Sequence, residues 1–356
     1  MHTYINSPNR CNVLVTTECS FCGGSVLNTI LSSSHPSLRN IHISALVRRE
    51  DQARIITALN ITPILFASLD DTEFLSQTAS EYDVVIHAAN GYHIPSAKAL
   101  IQGLAQRKAK TGKAVHYVHN SGTSNFGDRP VSGAYTESVP RVFSDKDDLC
   151  PYERQREEIE PYHQRTADVT VFDLGVETGV TTYIICSPLI YGRGTGLFNK
   201  SSIQIPILIR SAIARGEAIY AGDGLGSWNH THIEDIAALY TLILAKTLAK
   251  EKIPSGKDGL YFADAGEQTW LDIAKGIARV GHQLGKLPVE PKSVTLTEAS
   301  RAWFGGDEHL TELALCSHSL TNGEKSRELG WKPLKDDSRW EETIAEEFDV
   351  ALKTMA

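Results

Sequence analysis

No run of apolar residues in this chain approaches the roughly 20 needed to cross a bilayer, and no basic segment followed by an apolar stretch opens it. The expectation is a cytoplasmic protein with no membrane partner. Positive charge is scarce as well. The 35 lysines and arginines are outnumbered by 43 acids, for a formal charge of -8, and they are scattered rather than striped. That pattern leaves no electrostatic footprint for nucleic acid. Six cysteines in 356 residues are too few for a disulfide framework. Cys19-Ser-Phe-Cys22 has C-x-x-C spacing, yet no second pair or nearby histidine completes a zinc site, so no metal is expected. Internal repeats and low-complexity tracts are missing too.

What is present describes an ordinary globular chain, 41% hydrophobic and 22% charged, long enough for one large domain and a smaller one. In the first half, short apolar strands alternate with helix-length stretches. The strands are expected at residues 12–16, 42–47, 62–66, 84–88, 115–119 and 182–186, with helices at 24–33, 51–59, 71–80, 95–109 and 154–178. Continuous apolar runs such as Val84-Val85-Ile86 suit strands covered on both faces. The predicted fold is α/β, a Rossmann-type doubly wound parallel sheet over residues 1–187 with a smaller C-terminal substrate domain over 188–356, some of whose elements return to the first. In such sheets ligands sit beyond the strand C-termini. Near the C-terminus, Ser338-Arg-Trp-Glu341 reads as a capping box. Behind it Trp340, Ile344, Phe348 and Leu352 form the apolar stripe of a docked helix.

Glycine is scarce where it matters most. Residues 12–27 read as a strand, turn and helix start, the arrangement whose free N–H groups and helix dipole bind phosphate. Thr17 and Ser20 hold two of the three spaced turn positions, only Gly23 remains, and Glu18 adds negative charge beside them. A positive φ at Thr17 or Ser20 would cost on the order of 1–2 kcal/mol.

Taken together, the segments resemble the extended short-chain dehydrogenase/reductase family, in its NAD-dependent epimerase/dehydratase branch, and more narrowly its atypical fungal members. The likeness spans nearly the whole chain. It rests on residues 13–27, Ala45-Leu-Val-Arg-Arg49, Leu69-Asp-Asp71, Val85-Ile-His-Ala-Ala89, His119-Asn-Ser-Gly-Thr123, Ser187-Pro-Leu-Ile-Tyr-Gly192, Gly222-Asp-Gly224 with Trp228, His232-Ile-Glu-Asp235 and Leu329-Gly-Trp-Lys-Pro333. The resemblance implies cofactor contacts at Thr17, Ser20, Phe21, Cys22, Gly23, Asp70, Ala88, Ala89 and Pro188. Arg48 and Arg49 stand where the family accommodates the 2'-phosphate of NADP. It also implies homodimers through sheet-flanking helices.

The family's hydride machinery resembles a Ser/Thr with a Tyr-x-x-x-Lys. Ser121 and Thr123 fill the first part. The second is missing: Tyr162 puts Thr166 at the lysine position, and Asp168 as the lysine puts Gln164 at the tyrosine position. Without a nearby cation a phenol keeps its pKa near 10 and relays protons poorly at neutral pH. Tyr162, His163, Arg165 and Tyr191 join Ser121 and Thr123 as candidate catalytic groups, with Asn90, His93, Asn199 and Trp228 facing the substrate. His87 and His119 are expected in the core, and His232 as the cap of the helix it precedes. The leading expectation is an atypical enzyme of this fold acting on a small organic, secondary-metabolite-like molecule by non-redox isomerisation, cyclisation or elimination. The alternatives are an NADP-dependent reductase or epimerase, and a regulator that senses NAD(P) or a metabolite without turnover.

Overall fold

The protein is described by a computed structural model that covers residues 10–16, 20–137, 141–335 and 340–355, with the side chain of Glu341 left out. Thr17, Glu18 and Cys19, and Ser338 and Arg339 of the expected capping box, lie outside the described residues.

The apolar runs of the first half form a parallel sheet: β1 (Cys11–Thr16), β2 (Ile41–Val47), β3 (Thr62–Leu65), β4 (Val84–His87) and β5 (His116–Gly122), joined by the strands Thr181–Ser187 and Leu260–Phe262. The order is Leu260–Phe262, Thr181–Ser187, β5, β4, β1, β2, β3, all neighbours parallel. Val13, Leu14, Val15 and Thr16 expose no surface. Parallel strands must be covered on both faces, and here they are. Helices α1 (Phe21–Ser32) and α8 (Ile233–Leu248) cover one face, and α4 (Ile94–Thr111) and α6 (His163–Thr178) cover the other. Strand order reverses between β1 and β4, so the ligand crevice of such a sheet opens at their C-terminal ends.

The single helix expected over 154–178 is two, α5 (Leu149–Ile159) and α6. Pro161 lies between them, where it lacks an N–H for the helix ladder and crowds the preceding turn. Strand β5 extends to Gly122, three residues past the expected end, which carries Ser121 into the sheet. The Leu260–Phe262 edge strand was not expected at all; it is too short to show a pattern.

The second core gathers Leu189, Tyr191, Trp228, Trp270 and Phe348 among others. It is built on a three-stranded sheet (Leu189–Tyr191, Ser227–His232, Gly266–Thr269) and on helices including α7 (Gln204–Arg215) and Glu308–Leu315. The C-terminal helix Trp340–Met355 buries Ile344 and Phe348 completely, each contributing roughly 1.5–3 kcal/mol. Leu352 is half-buried. No helix among the described residues is long and apolar enough to cross a membrane.

Candidate active site

A cavity of about 990 Å³ lies between the C-terminal ends of β4, β5 and Thr181–Ser187 and the second core. At one end stands the N-terminus of α1. Ser20 caps it: its Oγ accepts from Gly23 N at 2.9 Å and donates to the Ala88 carbonyl at 3.0 Å. One side chain therefore satisfies an orphan helix donor and ties α1 to the end of β4. Ser20, Phe21, Cys22, Ala88 and Ala89 lie on the wall, whereas Gly23 is buried within the helix. No acid occupies the first turn of α1, so its positive end is free to meet a phosphate. Burial pushes the Cys22 thiol up to about 12, which leaves it inert at neutral pH.

The glycine-rich segment after Pro188 folds over this helix end. Thr195 N donates to Ser25 Oγ at 3.1 Å, and a Cβ on Gly196 would lie 2.7 Å from Gly24 Cα. Only glycine fits there. Beyond β2, Arg48 is exposed, with its guanidinium 5.7 Å from the Phe66 ring centre. Arg49 pairs with Asp51 at 2.9 Å. A basic residue at this strand end, an unacidic helix N-terminus and the Ser20–Ala88 tie fit a dinucleotide. Asp70 is exposed and engaged elsewhere, accepting from Ser68 Oγ at 2.8 Å and bonded to His93 Nε2 at 3.0 Å, which together hold its carboxyl below the usual range.

His93 is absent from the cavity wall. Its Nδ1 accepts from Ser96 N at 3.2 Å, capping α4, so Nε2 carries the proton donated to Asp70. Its neighbours Asn90, Gly91, Tyr92 and Ile94 do reach the wall.

At the end of β5, Ser121 faces the cavity and donates to Asp168 Oδ2 at 2.6 Å. Asn125 Nδ2 donates to the same oxygen at 2.8 Å, and His119 Nε2 stands 3.4 Å from Oδ1. Burial raises the Asp168 carboxyl to about 7, against the pull of the Ser121 and Asn125 hydrogen bonds. Glu153, 3.3 Å from Asn125 Nδ2, is driven well above the carboxylate range by burial and then by the charge of Asp168. His119 is pushed down to about 3 by burial and stays neutral. The cluster therefore holds a protonated Glu153 beside an Asp168 whose carboxyl burial raises toward neutrality.

A second chain of hydroxyls runs along α6. Tyr162 donates to Ser124 Oγ at 3.2 Å, and Ser124 donates to Gln164 Oε1 at 2.6 Å. The Tyr92 hydroxyl, 2.8 Å from that of Tyr162, must then donate to it. Burial raises both phenols, so both stay protonated. Thr123 and Ser187 are buried on the wall, and their hydroxyls have no protein partner among the described residues. Such groups are completed by water or a bound molecule.

Neither Tyr-x-x-x-Lys register brings an ammonium. In one, Thr166 donates to Glu157; in the other, Asp168 holds Ser121. His163 is exposed at the start of α6 and lies on the wall, as do Pro188, Asn199 and Trp228. Besides His93, two of the catalytic candidates lie off it. Arg165 is fully buried and donates to the carbonyls of Asn125, at 3.0 and 3.1 Å, and Glu160, at 2.8 Å. It braces the turn after β5. Tyr191 is buried in the second core against His230, His232 and Trp340. His232 caps α8 through Glu234 N, as expected. Sequence reasoning missed Tyr92, Ser124 and Gln164, and also Phe304, Leu310 and His309, which come from a part of the chain far away in sequence.

The family model described as NAD dependent epimerase/dehydratase family matches residues 21–254, about two-thirds of the chain, and the chain belongs to that family. Oxidase ucsJ of Acremonium sp is 26% identical over 339 residues, covering 90% of this chain and 92% of its own. Among solved structures, a double mutant of dTDP-glucose 4,6-dehydratase from Streptomyces venezuelae with NAD bound superposes with a TM-score of 0.64 at 17% identity, over 95% of each chain. UDP-glucuronic acid 4-epimerase from Bacillus cereus, in complex with UDP-glucuronic acid and NAD, does so at 0.60 and 15%, over 96% of this chain and 99% of its own. The fold is thus that of the extended short-chain dehydrogenase/reductases.

Proposed function

We propose that this member of the NAD dependent epimerase/dehydratase family is an enzyme that converts a small organic molecule by acid/base chemistry without hydride transfer. One observation carries the reading. Ser121, on the cavity wall, is hydrogen-bonded at 2.6 Å to a fully buried carboxyl that titrates near 7, while neither register supplies the lysine that would activate a tyrosine. A general acid or base works best with a pKa near the operating pH. As a substrate proton reaches Ser121 Oγ, the Ser121 proton passes to Asp168; the reverse transfer returns a proton at another substrate atom or to a departing hydroxyl. The product then has the substrate's mass or has lost one water. Developing negative charge on a substrate oxygen would meet the buried wall hydroxyls of Thr123 and Ser187, whose protons no described protein group takes.

A nicotinamide dinucleotide at the N-terminus of α1 would supply hydride chemistry. An NADP-dependent oxidoreductase is accordingly the second reading, favoured by Arg48 beyond β2 and by the likeness to an Acremonium oxidase. There Ser121 and the Tyr92–Tyr162 pair would orient the substrate oxygen.

The two separate by mass. An extract of source-cell metabolites incubated with nucleotide-stripped protein should yield substrate and product of equal mass, or differing by water, and the pair should vanish with Ser121→Ala. Pairs differing by two hydrogens and formed only with NADP(H) would replace the first reading by the second.

A further inference from the structure

We infer that the cavity takes an uncharged, unphosphorylated substrate with an apolar body and at least two hydrogen-bonding oxygens at one end. The inference rests on the reading of this cavity as a substrate site. Its wall holds no lysine or arginine among the described residues. The basic residues nearest in sequence, Arg165, Arg193 and Lys200, are off it, and Arg165 is committed to two carbonyls. A nucleoside diphosphate carries two negative charges on its pyrophosphate. Taken out of water without a cation, those charges cost more than the ring contacts return.

The helix N-terminus at the outer end gives no relief. That of Glu308–Leu315 is capped by Asp307, whose Oδ1 accepts from Leu310 N at 2.9 Å, and Asp307 lies on the wall. An anion there meets a carboxylate, and like charges repel. Most of the side-chain surface around this outer end is apolar, from Ile190, Ile203, Trp228, Phe304, Leu310 and Ala314, and its polar members Asn199, Ser202, Gln204 and His309 include no lysine or arginine. Ile203 is 67% exposed, an uncovered aliphatic surface at the mouth. Opposite stand the buried, unpartnered hydroxyls of Thr123 and Ser187, which need hydrogen-bonding atoms from whatever fills the cavity. This division differs from what the Bacillus cereus epimerase holds, a sugar on a uridine diphosphate.

Saturation-transfer NMR on the full chain tests this with two probes, 2-acetonaphthone, a neutral bicyclic ketone, and UDP-glucuronic acid. Saturation should reach the ketone and not the nucleotide sugar. Leu310→Lys, at a half-exposed position, should weaken ketone binding by about tenfold, because it sets an ammonium against an apolar ligand; its thermal transition reports that it is folded. Saturation reaching UDP-glucuronic acid, or none reaching the ketone, overturns the inference. A bound nucleotide sugar alongside nucleotide-free turnover that still needs Ser121 would sink the substrate class and leave the acid/base reading standing. A bound ketone with no nucleotide-free turnover would do the reverse.

Discussion

Ser121 Oγ meets Asp168 Oδ2 at 2.6 Å, and through this bond a hydroxyl on the cavity wall is joined to a carboxyl with no exposed surface. The strand supplies one partner and α6 the other. Their meeting depends on β5 running to Gly122 and on α6 starting afresh after Pro161.

Asp168 should make stability fall as pH rises. Its folded carboxyl titrates near 7 against an ordinary value of 3.8, so between those values the folded state keeps a proton that the unfolded chain has lost. The full contribution is present below about pH 4 and is lost through pH 7. His119, lowered from 6.5 to about 3, acts oppositely and weakens the fold as pH falls through that window. Asp168→Asn removes its own contribution and leaves those of His119 and of Glu153, which burial also raises. Urea denaturation at pH 5 and pH 8 should show the variant gaining on the wild type as pH rises; a constant difference would contradict the assignment.

Arg165 should prove a brace. Arg165→Lys keeps the charge but loses the forked donation to Asn125 O, at a cost of about 2–3 kcal/mol. Chemical denaturation measures it. Unchanged stability with lost turnover would instead make Arg165 a functional group of the cavity.

Gly196→Val should lift the loop from α1, since even a Cβ would lie 2.7 Å from Gly24 Cα. Overpacking against backbone costs on the order of 1–3 kcal/mol. The variant's thermal midpoint should drop, and a wild-type midpoint would show that the loop does not rest on the helix.

Arg48 should discriminate between dinucleotides. Arg48→Ala is expected to weaken NADPH by several-fold to about tenfold, the loss of a charge-assisted contact at an exposed site, and to leave NADH unaffected. Fluorescence titration reads both, and equal weakening would remove Arg48 from the 2'-phosphate site.

The fold was legible because covered parallel strands write continuous apolar runs, as in Val13 to Val15 and Val84 to Ile86. The inner half of the cavity was legible for a related reason: Ala88, Ser121 and Pro188 sit at strand ends, where the sheet itself aims them, and Ser20 caps the helix that follows β1. Side-chain direction was not. Tyr191 and Arg165 lie in promising motifs and turn into the interior, and His93 turns to cap a helix although Asn90, Gly91 and Tyr92 just before it line the wall. The outer half was hidden altogether, because Phe304, His309 and Leu310 arrive by the return of distant helices, which no local pattern records. Asp168 was visible only as a failed lysine. Its role as partner of Ser121 required the register of α6 against β5.

The central claim is that the chemistry runs on the Ser121–Asp168 pair and needs no hydride. Its most direct test is the turnover of the substrate pair by nucleotide-stripped protein, with and without saturating NADPH. The predicted result is the same rate in both, abolished by Asp168→Asn; turnover that appears only when NADPH is added would contradict it.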